Sequence, residues 1–432
     1  METKTMKKII QLSLFPLVFS LLLSSSATIA NEDLINIYVR NANVNSTHEI
    51  KNVILFIGDG MGPNHIEAGE IYKGSDLTFS NPNDPKWTYH GYQNTDSLTS
   101  EGFKLDISKS LLRPDLNESL YDNNPSPYAE SGNYMANTRY TDSAAGGTAL
   151  ATGKKTTNSL LGVDNFGNQL TNLVEIASSL EKKTGVVSSD SLTGATPSSF
   201  LSHVEERHLY DEILNQVVNA PANLVMAERP SNWSSTYESK YASAGWSYAS
   251  SLSQTNINAN KEIVLVDGLV GDSYVTPALS DLTMYALDKL DNENGFFLMV
   301  EGSSIDTASH EKQPATMLKE LMDFDTAVKT AADWAYARDD TLIVVTADHE
   351  TGALTYDREN ATQDNIIESI EFLSGNHSRT RVTVDVYGDA SEFFLTYQNE
   401  LDRLGILNEG MEDECANYFD NTDVFKLLAS YL

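Results

Sequence analysis

The sequence predicts an α/β fold: a large, mostly parallel sheet sandwiched between helices. Two observations predict it. Four continuous apolar runs, Val53–Ile57, Gly185–Ser188, Phe296–Val300 and Leu342–Thr346, lack the alternation of half-exposed strands. Strands covered on both faces lose that alternation. Helix-like segments separate the runs, and strand–helix alternation implies a parallel sheet with helices on both faces.

Each element follows from its own residues. Val53–Ile57 ends in Gly58-Asp59-Gly60-Met61-Gly62, a turn after a strand. Asn172–Lys183 places Leu173, Val174, Ala177 and Leu180 on one helical face. Pro314–Ala337 starts with proline in its first turn and carries Leu318, Leu321, Met322, Ala327 and Val328 inward. Residues 421–428, Asn-Thr-Asp-Val-Phe-Lys-Leu-Leu, read as a capped last helix. Two stretches, 73–139 and 229–262, are rich in Ser, Asn and Tyr and read as insertions, long loops or small subdomains decorating the sheet. The rest of 31–432 reads as one domain.

Chemistry gathers where such a sheet binds ligands, beyond the carboxyl ends of its strands. Asp59, Glu301 and the pair Asp348-His349 each follow an apolar run. Asp306 and His310 are four apart, so one helical turn would aim both the same way. His377 adds a third imidazole in a loop. Histidine nitrogen and carboxylate oxygen are standard zinc ligands. Residues 141–148, Thr-Asp-Ser-Ala-Ala-Gly-Gly-Thr, place Ser143 at a helix start with Asp142 before it. Asp-Ser there is also an ordinary N-cap. The functional alternative is an oxyanion or phosphate seat, because helix N-termini carry unpaired N–H groups. His48, His65, His90, His203 and His208 read as surface, packing or supporting residues.

Composition bounds the partners. The formal net charge of the 432 residues is -32. That surface repels nucleic acid and anionic membranes, and repels phosphate at long range. A phosphate site here must therefore make its own positive field, which metals would supply. The first 30 residues carry Lys4, Lys7 and Lys8, an apolar run from Ile9 to Leu23, and a small-residue stretch to Ala30. They read as an export signal, with a periplasmic or extracellular product and no membrane anchor. Losing three lysines and one glutamate with that signal takes the charge to -34. Cys415 is the only cysteine, so no internal disulfide and no cysteine zinc site can form.

In order along the chain stand Gly-Asp-Gly-Met-Gly at 58–62, Thr-Asp-Ser-Ala-Ala at 141–145, Ala-Thr-Pro at 195–197 and Arg207. They are followed by Glu-Gly-x-x-Ile-Asp at 301–306 with His310, Thr-Ala-Asp-His at 346–349, and His377 ten residues before Tyr387-Gly388. With these motifs the chain resembles the alkaline phosphatase family. The resemblance implies that Ser143 is the nucleophile. It implies one zinc held by Asp306, His310 and His377, and a second held by Asp59, Asp348 and His349, with Ser143 meeting the metal. It implies one magnesium reached by Asp59 and held by Thr196 and Glu301, giving two Zn2+ and one Mg2+ per chain. Arg207 would grip phosphate through its fork, oriented by Asp142. The implied reaction is hydrolysis of small phosphate monoesters to inorganic phosphate through a phosphoserine at alkaline pH. The resemblance also allows a homodimer.

The chemistry agrees with these residue types. A serine hydroxyl is a poor nucleophile until its pKa falls, as it does at zinc. Two zincs about 4 Å apart can stabilise attacking and leaving oxygens together. Arginine matches phosphate bidentately where lysine cannot. Two positions depart from the family. Gly194 falls where relatives place an acid or a histidine beside the third metal, and Thr307 where they vary among lysine, histidine and tryptophan. These leave the third metal's identity and affinity open, with weak, exchangeable binding as the expectation. The rival readings are a phosphodiesterase of the same superfamily and a non-catalytic secreted protein that binds metal or phosphate.

Overall fold

The structure is a computed structural model, described for residues 49–97, 140–268, 277–390, 393 and 418–432. The expected export signal, His48 and residues 98–139 of the first serine- and asparagine-rich stretch lie outside the described residues.

A ten-stranded sheet forms the frame, in the order β14-β2-β13-β8-β1-β7-β3-β4-β6-β5. Its strands are β1 (Asn52–Gly58), β2 (Trp87–Asn94), β3 (Lys183–Ser191), β4 (Leu224–Glu228), β5 (Trp246–Ala249) and β6 (Lys261–Val266). They continue with β7 (Phe296–Gly302), β8 (Thr341–Thr346), β13 (Val382–Tyr387) and β14 (Tyr418–Asp420). Two short antiparallel pairs stand apart: β9 (Glu350–Thr351) with β12 (His377–Ser378), and β10 (Leu354–Tyr356) with β11 (Ile370–Phe372). Pairing in the large sheet is parallel except around β13, which runs antiparallel to β8 and β2.

The central strands show why the apolar runs are continuous. Every residue of β1, β7 and β8 is buried. Val53, Leu55 and Ile57 face one hydrophobic layer, while Ile54 and Phe56 face the other. Phe297 and Met299 of β7, and Leu342 and Val344 of β8, repeat the alternation against the first layer. A residue pointing either way thus leaves water, at about 25 cal/mol for each Å² of apolar surface removed.

Helices supply both covers. The first layer is closed by α2 (Ser143–Thr152), α3 (Leu173–Ser179), α5 (Tyr210–Val217) and α11 (Asn421–Ser430). The second is closed by α1 (Pro63–Lys73), α7 (Leu279–Leu290), α8 (Ser304–His310) and α9 (Pro314–Ala335). Three others complete the described helices: α4 (Ala195–Ser199), α6 (Ser235–Ser243) and α10 (Ile366–Ser369).

Several boundaries differ from the sequence reading. Helix α3 stops at Ser179 instead of Lys183, because Glu181 turns left-handed at φ 61° and Lys183 already belongs to β3. Glu301 lies inside β7, since the strand runs on to Gly302. The stretches read as decoration also contribute to the frame. Trp87–Asn94 pairs with β13, and Trp246–Ala249 forms the far edge on β6. Both strands mix polar and apolar residues, as edge and near-edge strands do, so they lack the unbroken apolar run used to find the centre.

Candidate metal and phosphate site

Register brings the acids together. Ile57 of β1 pairs with Glu301 of β7 on one side and with Thr346 of β8 on the other. Asp59 and Asp348 therefore leave the sheet at one level, two residues beyond Glu301, which stays inside the neighbouring strand β7. Gly60 makes the close approach possible: it is left-handed at φ +74°, and a Cβ there would lie 2.8 Å from the Asp306 backbone. Its N–H donates to Asp348 Oδ1 at 3.3 Å.

Two groups of metal-ligating atoms result. Asp59, Asp348 and His349 offer atoms within 4.8 Å of one another, and so do Asp306, His349 and His377. His310 joins the second group, its Nε2 lying 3.3 Å from Asp306 Oδ2 and 3.0 Å from His377 Nε2. His377 Nε2 lies 3.4 Å from Asp306 Oδ1. His349 stands between the groups, its Nε2 3.4 Å from Asp59 Oδ1 and 3.3 Å from Asp348 Oδ2.

Hydrogen bonds fix which ring nitrogens face inward. His310 Nδ1 sits 2.7 Å from the carbonyl of Gly375, and His377 Nδ1 2.7 Å from that of Thr141. A carbonyl only accepts, so both Nδ1 atoms carry the proton, and in the neutral rings both Nε2 atoms present lone pairs. His349 Nδ1 meets the Thr351 hydroxyl at 3.2 Å, and that hydroxyl donates onward to Asp306 Oδ1. Thr351 is thereby an acceptor from His349, which again leaves Nε2 bare. Three bare nitrogens and several carboxylates converging on one space fit cations, and the carbonyl and hydroxyl partners are of the kind that orient metal-bound histidines.

Unpaired oxygens give a second test of fit. Asp59 Oδ1, Asp348 Oδ2, Glu301 Oε1 and Thr196 Oγ1 are buried and have no hydrogen-bond partner. Burying such atoms unpaired is costly, and coordination would satisfy them. The electrostatics point the same way. Burial first, then Asp348, Asp306 and Glu301, hold Asp59 well above the usual carboxylate range. Burial, with Asp306 next, pushes Asp348 up to about 7. Burial favours a neutral Asp306, yet its bonds to His310 and His377 hold it well below the usual range. Burial lowers His310 in turn, but without a cation a proton on its Nε2 bonds Asp306, which outweighs burial and takes the ring to about 9; a cation would take that proton's place on the nitrogen. Crowded carboxylates that retain protons mark a place short of positive charge.

Ser143 opens α2, and its Oγ lies 3.2 Å from His349 Nε2. Asp142 is the N-cap, accepting from the Ala145 N–H at 2.9 Å through Oδ1. Its Oδ2 takes the Ser159 N–H at 3.0 Å and Arg207 Nη1 at 3.2 Å. The N-cap reading and the arginine-holding reading are thus both true of this one carboxylate. Gly146 lets α2 lie on the Asp348 loop, because a Cβ there would be 2.9 Å from the Asp348 carbonyl. Thr196 sits in the first turn of α4, and Glu301 takes the Ser188 hydroxyl on its other oxygen, Oε2.

Of the residues singled out in the sequence, these contacts join Asp59, Ser143, Asp306, His310, Asp348, His349 and His377, and they join Asp142 to Arg207. The sequence reading passed over Thr351, Ser188 and Asp190. Asp190 was open to the same rule that found the others, an acid at the end of an apolar run. Thr351 and Ser188 carried no such signal, since hydroxyls are common in loops and strands.

The chain is similar to known proteins over most of its length. The family profile described as alkaline phosphatase matches residues 115–227 and 261–412. Alkaline phosphatase 4 of Bacillus subtilis (strain 168) is 33% identical over 324 residues, covering 71% of this chain and 63% of that protein. Alkaline phosphatase of Escherichia coli (strain K12) is 27% identical over 364 residues, covering 69% of this chain and 70% of that one. The chain thus spans less than two thirds of the Bacillus relative's length. Among solved structures, alkaline phosphatase from the Antarctic bacterium TAB5 superposes with a TM-score of 0.66 at 24% identity, covering 89% of this chain and 99% of that chain. A mutant of the same enzyme, described with Mg bound in the M3 site, superposes at 0.66 with 26% identity over the same shares. With the ordered motifs, the sheet and the profile in agreement, the chain belongs to the alkaline phosphatase family.

Proposed function

We propose that this chain is an exported, metal-dependent phosphomonoesterase acting through a phosphoserine at alkaline pH. The observation that carries the reading is the position of Ser143 Oγ. It lies at the start of a buried helix, 3.2 Å from His349 Nε2, and His349 belongs to both acid–histidine groups. Asp306, His310 and His377 would hold one zinc, Asp59, Asp348 and His349 the second, and Thr196 and Glu301 with Asp59 a magnesium. When bound, these ions supply the positive charge that the attacking and leaving oxygens need.

The chain's own residues do the rest. Ser143 Oγ gives up its proton and attacks phosphorus; its bond to phosphorus forms as the ester P–O bond breaks, and the departing oxygen takes up a proton to leave as the alcohol. Water then attacks the phosphoserine, releases inorganic phosphate and restores the hydroxyl. Arg207, pinned at Nη1 by Asp142, keeps the rest of its fork for two phosphate oxygens. The α2 N-terminus adds backbone N–H groups to the same seat. Only phosphate is read, so the leaving group can vary. Support for export is the basic, apolar and small-residue order of residues 1–30. Among the described residues no helix is long and apolar enough to cross a membrane.

The test compares zinc- and magnesium-loaded protein on aryl phosphate monoesters and diesters, with labelled phosphate trapped in acid. Faster monoester turnover and label on Ser143 are expected. Faster diester turnover would instead make it a phosphodiesterase, and absence of turnover at full metal content would leave a binding protein.

A further inference from the structure

Gly194 precedes α4 at the position where an acid or histidine would sit beside the third metal. Its backbone does not require glycine: φ is -58° and ψ 152°, a conformation open to any residue. What excludes a side chain is space. A Cβ on Gly194 would lie 2.0 Å from Asp190 Oδ2 and 2.9 Å from the Ser191 carbonyl. The room left by the missing side chain is therefore occupied by a carboxylate from four residues earlier.

Asp190 is built into place. Its Oδ1 accepts the Ser191 N–H at 2.6 Å, while Oδ2 lies over Gly194. Its own N–H donates to Ser188 Oγ at 2.8 Å, and the same hydroxyl donates to Glu301 Oε2. One hydroxyl thus ties the Asp190 backbone to Glu301, whose strand pairs Ser188 with Glu301 directly. Glu301 keeps its other oxygen, Oε1, buried and unpaired, and so does Thr196, two residues after Gly194, at Oγ1. Two carboxylates joined through one hydroxyl, with unpaired oxygens on Glu301 and Thr196, offer hard, oxygen-only donors of the kind magnesium takes with several of its waters retained.

We propose that Asp190 supplies the carboxylate that Gly194 lacks and holds the hydration shell of a magnesium ion bound by Thr196 and Glu301. The proposal rests on the reading of those two residues as magnesium ligands. Weak third-metal binding no longer follows from Gly194 alone, because the charge has moved along the chain and not left the site. Glycine at 194 and aspartate at 190 form a complementary pair: one makes the space, the other fills it.

The test is magnesium titration by calorimetry into zinc-loaded, magnesium-stripped protein, with zinc content measured in parallel. Asp190→Asn keeps shape and the Ser191 bond but removes charge. Gly194→Ala keeps the charge but crowds Oδ2. Each should weaken magnesium by about 10–100-fold, the usual effect of losing a metal's outer partner, with zinc content unchanged. Unchanged magnesium affinity in Asp190→Asn overturns the proposal. So does weaker inhibition by inorganic phosphate with magnesium binding intact, which would make Asp190 a support for Arg207 only. A parent protein that binds zinc but no magnesium overturns the third site itself, and with it this proposal, while leaving Ser143 labelling as the separate measure of the phosphatase reading.

Discussion

The two halves of the site hold charge by different means. On one side His310, His349 and His377 each commit Nδ1 to a carbonyl or hydroxyl, so that three Nε2 atoms face inward with Asp306. On the other side Thr196, Glu301 and Asp190 offer oxygen only, the last two tied through Ser188. The difference teaches how one end of a sheet can offer two kinds of ligand set. Imidazoles oriented by fixed hydrogen bonds suit zinc, while hard oxygens that leave room for water suit magnesium. Ser143 and Asp59 stand on the boundary, within reach of His349.

Removing the shared serine is the most drastic way to break that division. Ser143→Ala should lower turnover by orders of magnitude while zinc and magnesium contents stay at parent levels, since in the proposed reaction the hydroxyl is the nucleophile and the metals would keep their other ligands. Acid trapping of labelled phosphate should give no labelled residue in the variant. Label elsewhere would assign the nucleophile to another side chain.

A narrower break falls on the nitrogen half. His310→Ala or His377→Ala should cost about one zinc per chain and leave magnesium in place. Metal analysis checks both contents at once. Parallel loss of zinc and magnesium would show that the halves are one cooperative site and not two.

Arg207→Lys tests the proposed phosphate seat that Arg207 shares with Asp142. Lysine keeps the charge but loses the planar fork and its bond geometry with Asp142. The Michaelis constant and the inhibition constant for inorganic phosphate should both rise by about tenfold, for one lost charge-assisted hydrogen bond. If neither moves, Arg207 does not contact phosphate.

The smallest effect serves as a control outside both halves. His203 bonds to Glu175 at 3.0 Å and to the Gly162 carbonyl at 2.8 Å, joining α3 to the segment after α4. Burial raises Glu175, but the bonds to His203 and Asn172 outweigh it and hold it below its usual 4.5. Burial lowers His203, but the bond to Glu175 outweighs it and holds the ring above its usual 6.5. Stability from Glu175 is present above 4.5 and fades as pH falls through its lowered value. Stability from His203 is full below 6.5 and fades as pH rises through its raised value. His203→Gln should therefore destabilise most between about pH 4.5 and 6.5, by no more than about 1 kcal/mol for a partly exposed pair. Thermal melts across pH check this, and metal content should not change. A constant loss at all pH values would make the contribution packing and not charge.

Much of this protein was set by sequence alone. Unbroken apolar runs in β1, β7 and β8 announced strands covered on both faces, and that cover is visible in the two hydrophobic layers. Acids placed at the ends of those runs had to appear at one sheet edge, because parallel strands end on the same side. Asp59, Glu301 and Asp348 were legible for that reason. The strands Trp87–Asn94 and Trp246–Ala249 were not, because a polar strand at or near an edge has no one-dimensional signature distinct from a loop.

Only the tertiary structure decided what each side chain faces. Which ring nitrogen is bare depends on Gly375, Thr141 and Thr351, brought in from other segments. That Gly194 is a space for Asp190 depends on a turn that folds four residues back on themselves. Sequence fixes periodicity and order along the chain, whereas coordination and exclusion are distances between segments, and distances exist only once the chain has packed.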